Sequence, residues 1–126
     1  MASERILAVD DSPTIVAMIS EILASAGYEV LTAGDGVEAL EVAKTEEPDL
    51  ILLDVMIPKL DGYRVCRLLK FDQKYKAIPI IMLTAKTEEE SVSTGLRTGA
   101  DQYLTKPVEP QQLLDAVAAE LDKAKG

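Results

Sequence analysis

Two apolar runs constrain this chain more than anything else in it. Leu50-Ile51-Leu52-Leu53 and Ile78-Pro79-Ile80-Ile81-Met82-Leu83 are almost continuously hydrophobic, so a strand made from either presents apolar side chains to both of its faces. A sheet with one wet face cannot house such strands, whereas a parallel sheet covered by helices on both sides can. Three more short runs, Ile6-Leu7-Ala8-Val9, Tyr28-Glu29-Val30-Leu31 and Gln102-Tyr103-Leu104, recur at roughly even spacing.

The intervening segments have helical period. Ser12-Pro13 predicts a helix start, because proline lacks an N–H that would be unpaired there anyway. Ile15, Ile19, Ile22, Leu23 and Ala26 then share a face, and Gly27 suits the C-terminal stop. Val37, Leu40 and Ala43 mark a second helix after the Gly34-Asp35-Gly36 turn, and Leu60, Val65, Leu68 and Leu69 a third. Thr87 and Glu90 form a capping box opening a fourth helix, through Val92 and Leu96 to Gly99. Leu113, Leu114, Val117, Ala118 and Leu121 mark the last, after Pro110. Strand and helix alternate five times without a linker, a repeat or a low-complexity tract. Because parallel neighbours require helical crossovers, this predicts an α/β fold, a single doubly wound (βα)5 domain with a five-stranded parallel sheet. A length of 126 residues suits one such domain.

In a doubly wound sheet, ligands bind beyond the carboxyl ends of the strands. Strand 1 ends there in Asp10-Asp11, strand 3 in Asp54, strand 4 in Thr84-Ala85 and strand 5 in Lys106-Pro107. One aspartate after a strand is ordinary turn chemistry; three carboxylates, a hydroxyl and an ammonium on one edge are not. Clustered carboxylates raise one another's pKa unless a cation sits among them. With no histidine and one cysteine, Cys66, in the chain, Ser-His-Asp and Cys-His nucleophiles, an internal disulfide and thiolate zinc sites are excluded. A bound metal would therefore have oxygen ligands, which points to Mg²⁺ or Ca²⁺. The net charge of −9 disfavours direct nucleic acid binding. Neither a signal-like start nor an apolar stretch of roughly 18 to 20 residues is present, so a cytoplasmic protein without membrane contact is expected.

Asp10-Asp11, Asp54, Thr84-Ala85 and Lys106-Pro107, in this order and at these spacings, resemble the receiver domain of two-component response regulators, the CheY-like family. Leu52-Leu53-Asp54-Val55-Met56-Ile57-Pro58-Lys59-Leu60-Asp61-Gly62 is similar to its phosphoacceptor loop, and Gly99-Ala100-Asp101-Gln102-Tyr103-Leu104-Thr105-Lys106-Pro107 to its closing strand. The resemblance runs from about Arg5 to Leu121, so a receiver domain over 5–122 with no output domain is expected. It implies a flavodoxin-like strand order 2-1-3-4-5 and a phosphoacceptor switch, catalysing only its own phosphoryl transfer and autodephosphorylation. Asp54 would accept the phosphoryl group. Asp10, Asp11, Asp54 and the backbone carbonyl of Met56 would hold Mg²⁺, with Asp10 acting mainly through water. Thr84 and Lys106 would bind the phosphoryl oxygens, Thr84 and Tyr103 would act as switch residues, and the Lys106-Pro107 bond would be cis. Met56 and Lys86 would flank the path of the hydrolytic water. The donor would be a sensor histidine kinase or a histidine phosphotransfer protein, since this chain has no histidine to supply one. Output would pass to a downstream protein from the face formed by the predicted fourth helix, strand 5 and the last helix, in a monomer or a phosphorylation-induced dimer.

A stand-alone regulator is expected, chemotaxis-like motility control being one candidate role. The alternative is a receiver from a longer regulator, for instance one with diguanylate cyclase output, which the Val65-Cys66-Arg67-Leu68-Leu69-Lys70 helix and the longer loop after it resemble. An aspartate-nucleophile phosphatase would need an Asp-x-Asp motif after strand 1, and a flavin carrier a Ser/Thr/Gly-rich loop there. Asp10-Asp11-Ser12-Pro13 is neither. Of the remaining residues, Cys66 reads as packing or semi-exposed helix surface. Lys70, Lys74 and Lys76 read as a solvated face, and Glu88, Glu89 and Glu90 as first-turn acids favoured by the helix dipole.

Overall fold

The computed structural model describes residues 3–85 and 99–125. The chain runs β1 (Arg5–Val9), α1 (Pro13–Ser25), β2 (Glu29–Ala33), α2 (Gly36–Glu46), β3 (Leu50–Asp54), α3 (Gly62–Lys70), β4 (Ile80–Ala85), β5 (Gln102–Lys106) and α4 (Pro110–Lys125). All strand pairs are parallel and the sheet order is β2-β1-β3-β4-β5, so the doubly wound architecture and its strand order are as expected. The predicted fourth helix from Thr87 lies outside the described residues, as do Lys86 and the three glutamates at 88–90; Gly99, with φ at 91°, is the first described residue after it. No helix among the described residues is long and apolar enough to cross a membrane.

Every residue of β3 is buried, because the strand is central and covered on both faces. Ile6, Ala8, Leu50, Leu52, Ile81 and Leu83 turn to one side, beneath Ile19 and Leu23 of α1 and Leu113, Val117 and Leu121 of α4. Leu7, Val9, Ile51, Leu53, Ile80 and Met82 turn to the other, against Ala39 and Ala43 of α2 and Val65, Cys66 and Leu69 of α3. Full burial of a leucine or isoleucine stabilises by roughly 1.5–3 kcal/mol, so the centre of the sheet carries most of the apolar stabilisation. The helix starts are local. Ser12 Oγ accepts from the Ile15 N–H at 3.4 Å, Asp35 Oδ1 from Glu38 at 2.8 Å and Asp61 Oδ1 from Arg64 at 3.0 Å. Each satisfies an N–H that the first helical turn leaves unpaired.

Several expectations need correction. Val37 and Leu68 are exposed rather than core, and Leu60 lies in the loop before α3. The floor of α2 is instead Gly36, Ala39 and Ala43, small residues that let the helix sit close to the sheet and leave little trace in an apolar pattern. Ala26 is the exposed C-cap of α1. Cys66 is fully buried. Lys74 and Lys76 are exposed, but the Lys70 side chain is only 12% exposed. Its ammonium donates to the carbonyls of Ile78 (2.9 Å) and Lys76 (3.1 Å) and pairs with Asp101 at 2.8 Å. The same Asp101 oxygen accepts from the Ile80 N–H at 2.8 Å. A buried ammonium needs such partners, and these come from residues that only the folded loop brings near.

Two glycines separate backbone strain from steric exclusion. Gly27 has φ at 93° with nothing within 4 Å of an added Cβ, whereas a Cβ on Gly36 would lie 1.8 Å from the Leu60 carbonyl oxygen. Gly27→Ala should cost about 1 kcal/mol, from the left-handed backbone alone. Gly36→Ala should cost about 3 kcal/mol, because backbone must move. Urea unfolding midpoints check the order; equal losses would contradict it.

Candidate functional site

The parallel register delivers the ends of β1, β3, β4 and β5 to one edge. Asp10 follows Val9 and extends the ladder by donating its N–H to the Ala33 carbonyl at 3.2 Å. Asp54 closes β3 opposite Leu83, Thr84 stands opposite Thr105, and Lys106 closes β5 opposite Ala85. Asp10 and Asp54 are each 4% exposed and Thr84 is buried, while Asp11 is exposed.

Two buried carboxylates would be costly without partners. Lys106 supplies one to both, with its ammonium 2.9 Å from Asp54 Oδ1 and 3.1 Å from Asp10 Oδ2. The other oxygen of Asp10 accepts from the Ser12 N–H at 2.9 Å. Burial pushes the Asp54 carboxyl above its ordinary range. The Lys106 hydrogen bond and charge pull it back, and Asp10 pushes it up again, so the net direction is upward. Burial alone would lower Lys106, but its bonds and charge attraction to Asp54 and Asp10 outweigh that and raise it. One oxygen from each of Asp10, Asp11 and Asp54 lies within 4.8 Å of the others. This all-oxygen donor set, with a solvent-facing member, fits a hard divalent ion that retains waters.

The loop carrying Asp54 into α3 is held by backbone. Val55 donates to the Leu83 carbonyl at 3.1 Å and Gly62 to the Val55 carbonyl at 3.0 Å. A Cβ on Gly62 would lie 2.3 Å from the Asp54 carbonyl oxygen, so α3 begins in direct contact with the main chain of Asp54. On the other flank Gly36 donates to the Pro58 carbonyl at 3.2 Å and Lys59 pairs with Asp35 at 3.5 Å. Sequence reasoning placed Gly36 in a turn and Gly62 at the end of the loop after Asp54, and gave neither a packing role. The signal was there in the two Asp-Gly pairs, Asp35-Gly36 and Asp61-Gly62, each a cap followed by a close approach. The Met56 side chain is 76% exposed. The Lys106-Pro107 peptide is cis.

Tyr103 stands opposite Met82 on β5, one strand alternation from Thr105 and so on the same face as Thr84. It packs against the cluster that includes Tyr63 and Cys66 of α3. Burial, with smaller contributions from Tyr63 and Cys66, pushes its phenol up to about 12 from 10.0. The folded value lies above the unfolded one. The neutral phenol's contribution to stability is therefore complete below the ordinary value of 10.0 and is lost as pH rises toward about 12. In a spectrophotometric titration, Tyr103→Phe should remove the most alkaline tyrosinate step. An unchanged curve would contradict this placement.

Comparison with known proteins agrees with this arrangement. Residues 6–118 match the family model described as response regulator receiver domain. The alkaline phosphatase synthesis transcriptional regulatory protein PhoP of Bacillus subtilis is 49% identical over 123 residues, covering 98% of this chain and 50% of PhoP. The chain thus spans about half the length of the curated relatives it matches. Among solved structures, the Vibrio cholerae chemotaxis protein CheY4 superposes with a TM-score of 0.87 at 41% identity, covering 94% of this chain and 98% of CheY4. The signal receiver domain of a signal transduction histidine kinase from Syntrophus aciditrophicus gives 0.91 at 36% identity, covering 96% of this chain and 92% of that one. With the strand order, the charged edge and the family match in agreement, this chain belongs to the response regulator receiver domains of two-component systems.

Proposed function

We propose that Asp54 is the phosphoacceptor of a signalling switch, a reading carried by the single ammonium of Lys106 held between Asp54 and Asp10 at the carboxyl edge of the sheet. An Asp54 oxygen attacks phosphorus as the P–N bond of a donor phosphohistidine breaks; the electron pair goes to the imidazole nitrogen, which takes up a proton. The product is an acyl phosphate on Asp54. The difficulty is repulsion between the carboxylate and the incoming phosphoryl group, so catalysis consists of positioning and charge compensation. Lys106 is already placed for both, and Thr84 is the hydroxyl available to a phosphoryl oxygen. Asp10, Asp11, Asp54 and the Met56 carbonyl would hold Mg²⁺, which when bound supplies further charge neutralisation at the phosphoryl oxygens.

Phosphorylation replaces the single charge of the Asp54 carboxylate with an acyl phosphate of about −2, a net gain of about one negative charge beside the buried Asp10. That draws Thr84 and Lys106 toward the new oxygens and biases Tyr103 on the same side of the sheet, so the altered surface includes β5 and α4. The donor is a histidine kinase or phosphotransfer protein, and hydrolysis of the acyl phosphate by the domain itself resets the switch. A second reading places this receiver, over 5–122, at the head of a longer regulator with a DNA-binding output. It is favoured by the match to half of PhoP, a transcriptional regulatory protein; a reading frame continuing past Gly126 would decide for it.

Incubation with Mg²⁺ and acetyl phosphate should give a labile mass gain of one phosphoryl group in wild type and none in Asp54→Ala. Equal labelling of both would overturn the assignment. Mg²⁺ should also raise the melting temperature. At ten times Kd the stabilisation is about 1.4 kcal/mol, a shift of a few degrees for a domain of this size. Asp11→Ala, at an exposed position, should fold normally and lose that shift; a shift of wild-type size would remove Asp11 from the ligand set.

A further inference from the structure

Helix α3 carries a second feature, on the side facing away from the sheet. Its inner stripe, Val65, Cys66 and Leu69, is buried, and an amphipathic surface helix ordinarily turns a polar stripe to water. Here Leu68 is 52% and Phe71 70% exposed. Scattered exposed apolar residues are unremarkable, but these two share a groove of about 640 Å³ with Leu60, Arg64, Arg67 and Asp72.

The charge around the groove runs against that of the molecule. Between Gly62 and Ile78 there are five cations and one carboxylate, in a chain of net charge −9. Lys70 is spent internally on Asp101, and the one carboxylate, Asp72, accepts from the Lys74 N–H in its own loop at 2.8 Å. Arg64 pairs only loosely with Asp61, at 3.7 Å and with both side chains in solvent, where screening leaves little attraction. Arg67 has no carboxylate at ion-pair distance among the described residues, and its guanidinium lies 6.0 Å from the centre of the Phe71 ring. The groove therefore has an apolar floor and two guanidiniums able to take carboxylates as planar forks.

We propose that this face of α3 docks an acidic, amphipathic segment of a partner protein, seating an apolar side chain against Leu68 and Phe71 and placing carboxylates on Arg64 and Arg67. Charge selects this occupant. Nucleic acid or an anionic bilayer spreads its charge over distances far beyond the Debye length and meets the repulsion of the whole acidic molecule. A second copy of the chain brings the same −9. A short peptide senses charge within about 8 Å at physiological salt, and there the groove lining itself offers Arg64 and Arg67 against Asp72. Peptide binding is read without phosphoryl transfer to Asp54, so its failure and that of the phosphoacceptor assignment are separable.

The test is a random peptide library of about 16 residues displayed on phage and panned on the full chain. Selected peptides are then measured by fluorescence anisotropy and by amide shifts in NMR spectra. Enriched peptides should carry Leu, Phe or Trp flanked by Asp or Glu, and shifts should concentrate at 64–72. Arg67→Glu and Phe71→Ala should each weaken binding about tenfold or more, while both variants still take up phosphoryl at Asp54. Absence of enrichment, peptides without acidic residues, or binding unaffected by either variant would overturn the proposal. So would binding of wild type to vesicles of phosphatidylglycerol, or self-association abolished by Phe71→Ala.

Discussion

The site depends on one ammonium shared by two buried carboxylates. The sheet places Asp10 and Asp54 on adjacent strands with almost no solvent, a geometry that repulsion and desolvation both oppose. Lys106, arriving from β5 on the far side of β4, is what makes it tolerable. Lys106 is also the residue best placed to compensate an added phosphoryl group. The charge that stabilises the resting site is thus the one that the proposed phosphoryl transfer would recruit, and a phosphorylated Asp54 would compete with Asp10 for it.

Much of this was legible in the chain. Strands buried on both faces declare themselves as unbroken apolar runs, and the residues that follow them must emerge at one edge. Asp10, Asp11, Asp54, Thr84 and Lys106 could therefore be grouped from strand ends alone. What stayed hidden depends on distance in space rather than position in sequence. Gly36 and Gly62 matter for a carbonyl that each approaches, not for conformational freedom. Lys70 looked solvent-facing because its partners lie 6, 8 and 31 residues on, at Lys76, Ile78 and Asp101. Leu68 looked like core because a helix as short as α3 offers too few turns for period alone to separate its inner stripe from its outer one.

The net charge also divides in space. Acids gather at the carboxyl edge of the sheet, and cations gather along α3 and the loop after it. Net charge governs long-range repulsion, whereas recognition is decided within a few ångströms. One small domain can therefore be anionic toward polyanions and cationic toward a peptide.

Helix α3 is fastened at both ends to strands that contribute to the charged edge. Its first residue, Gly62, rests on the backbone of Asp54, and its last, Lys70, is locked to Asp101 just before β5. Across the top of the sheet, β3 and β5 are joined again by Lys106 and Asp54. Strand, helix, ion pair, strand and ion pair make a closed mechanical circuit around β4. A closed circuit cannot lengthen one joint without loading the others, so a change at Asp54 becomes tension on α3 and on the beginning of β5 together.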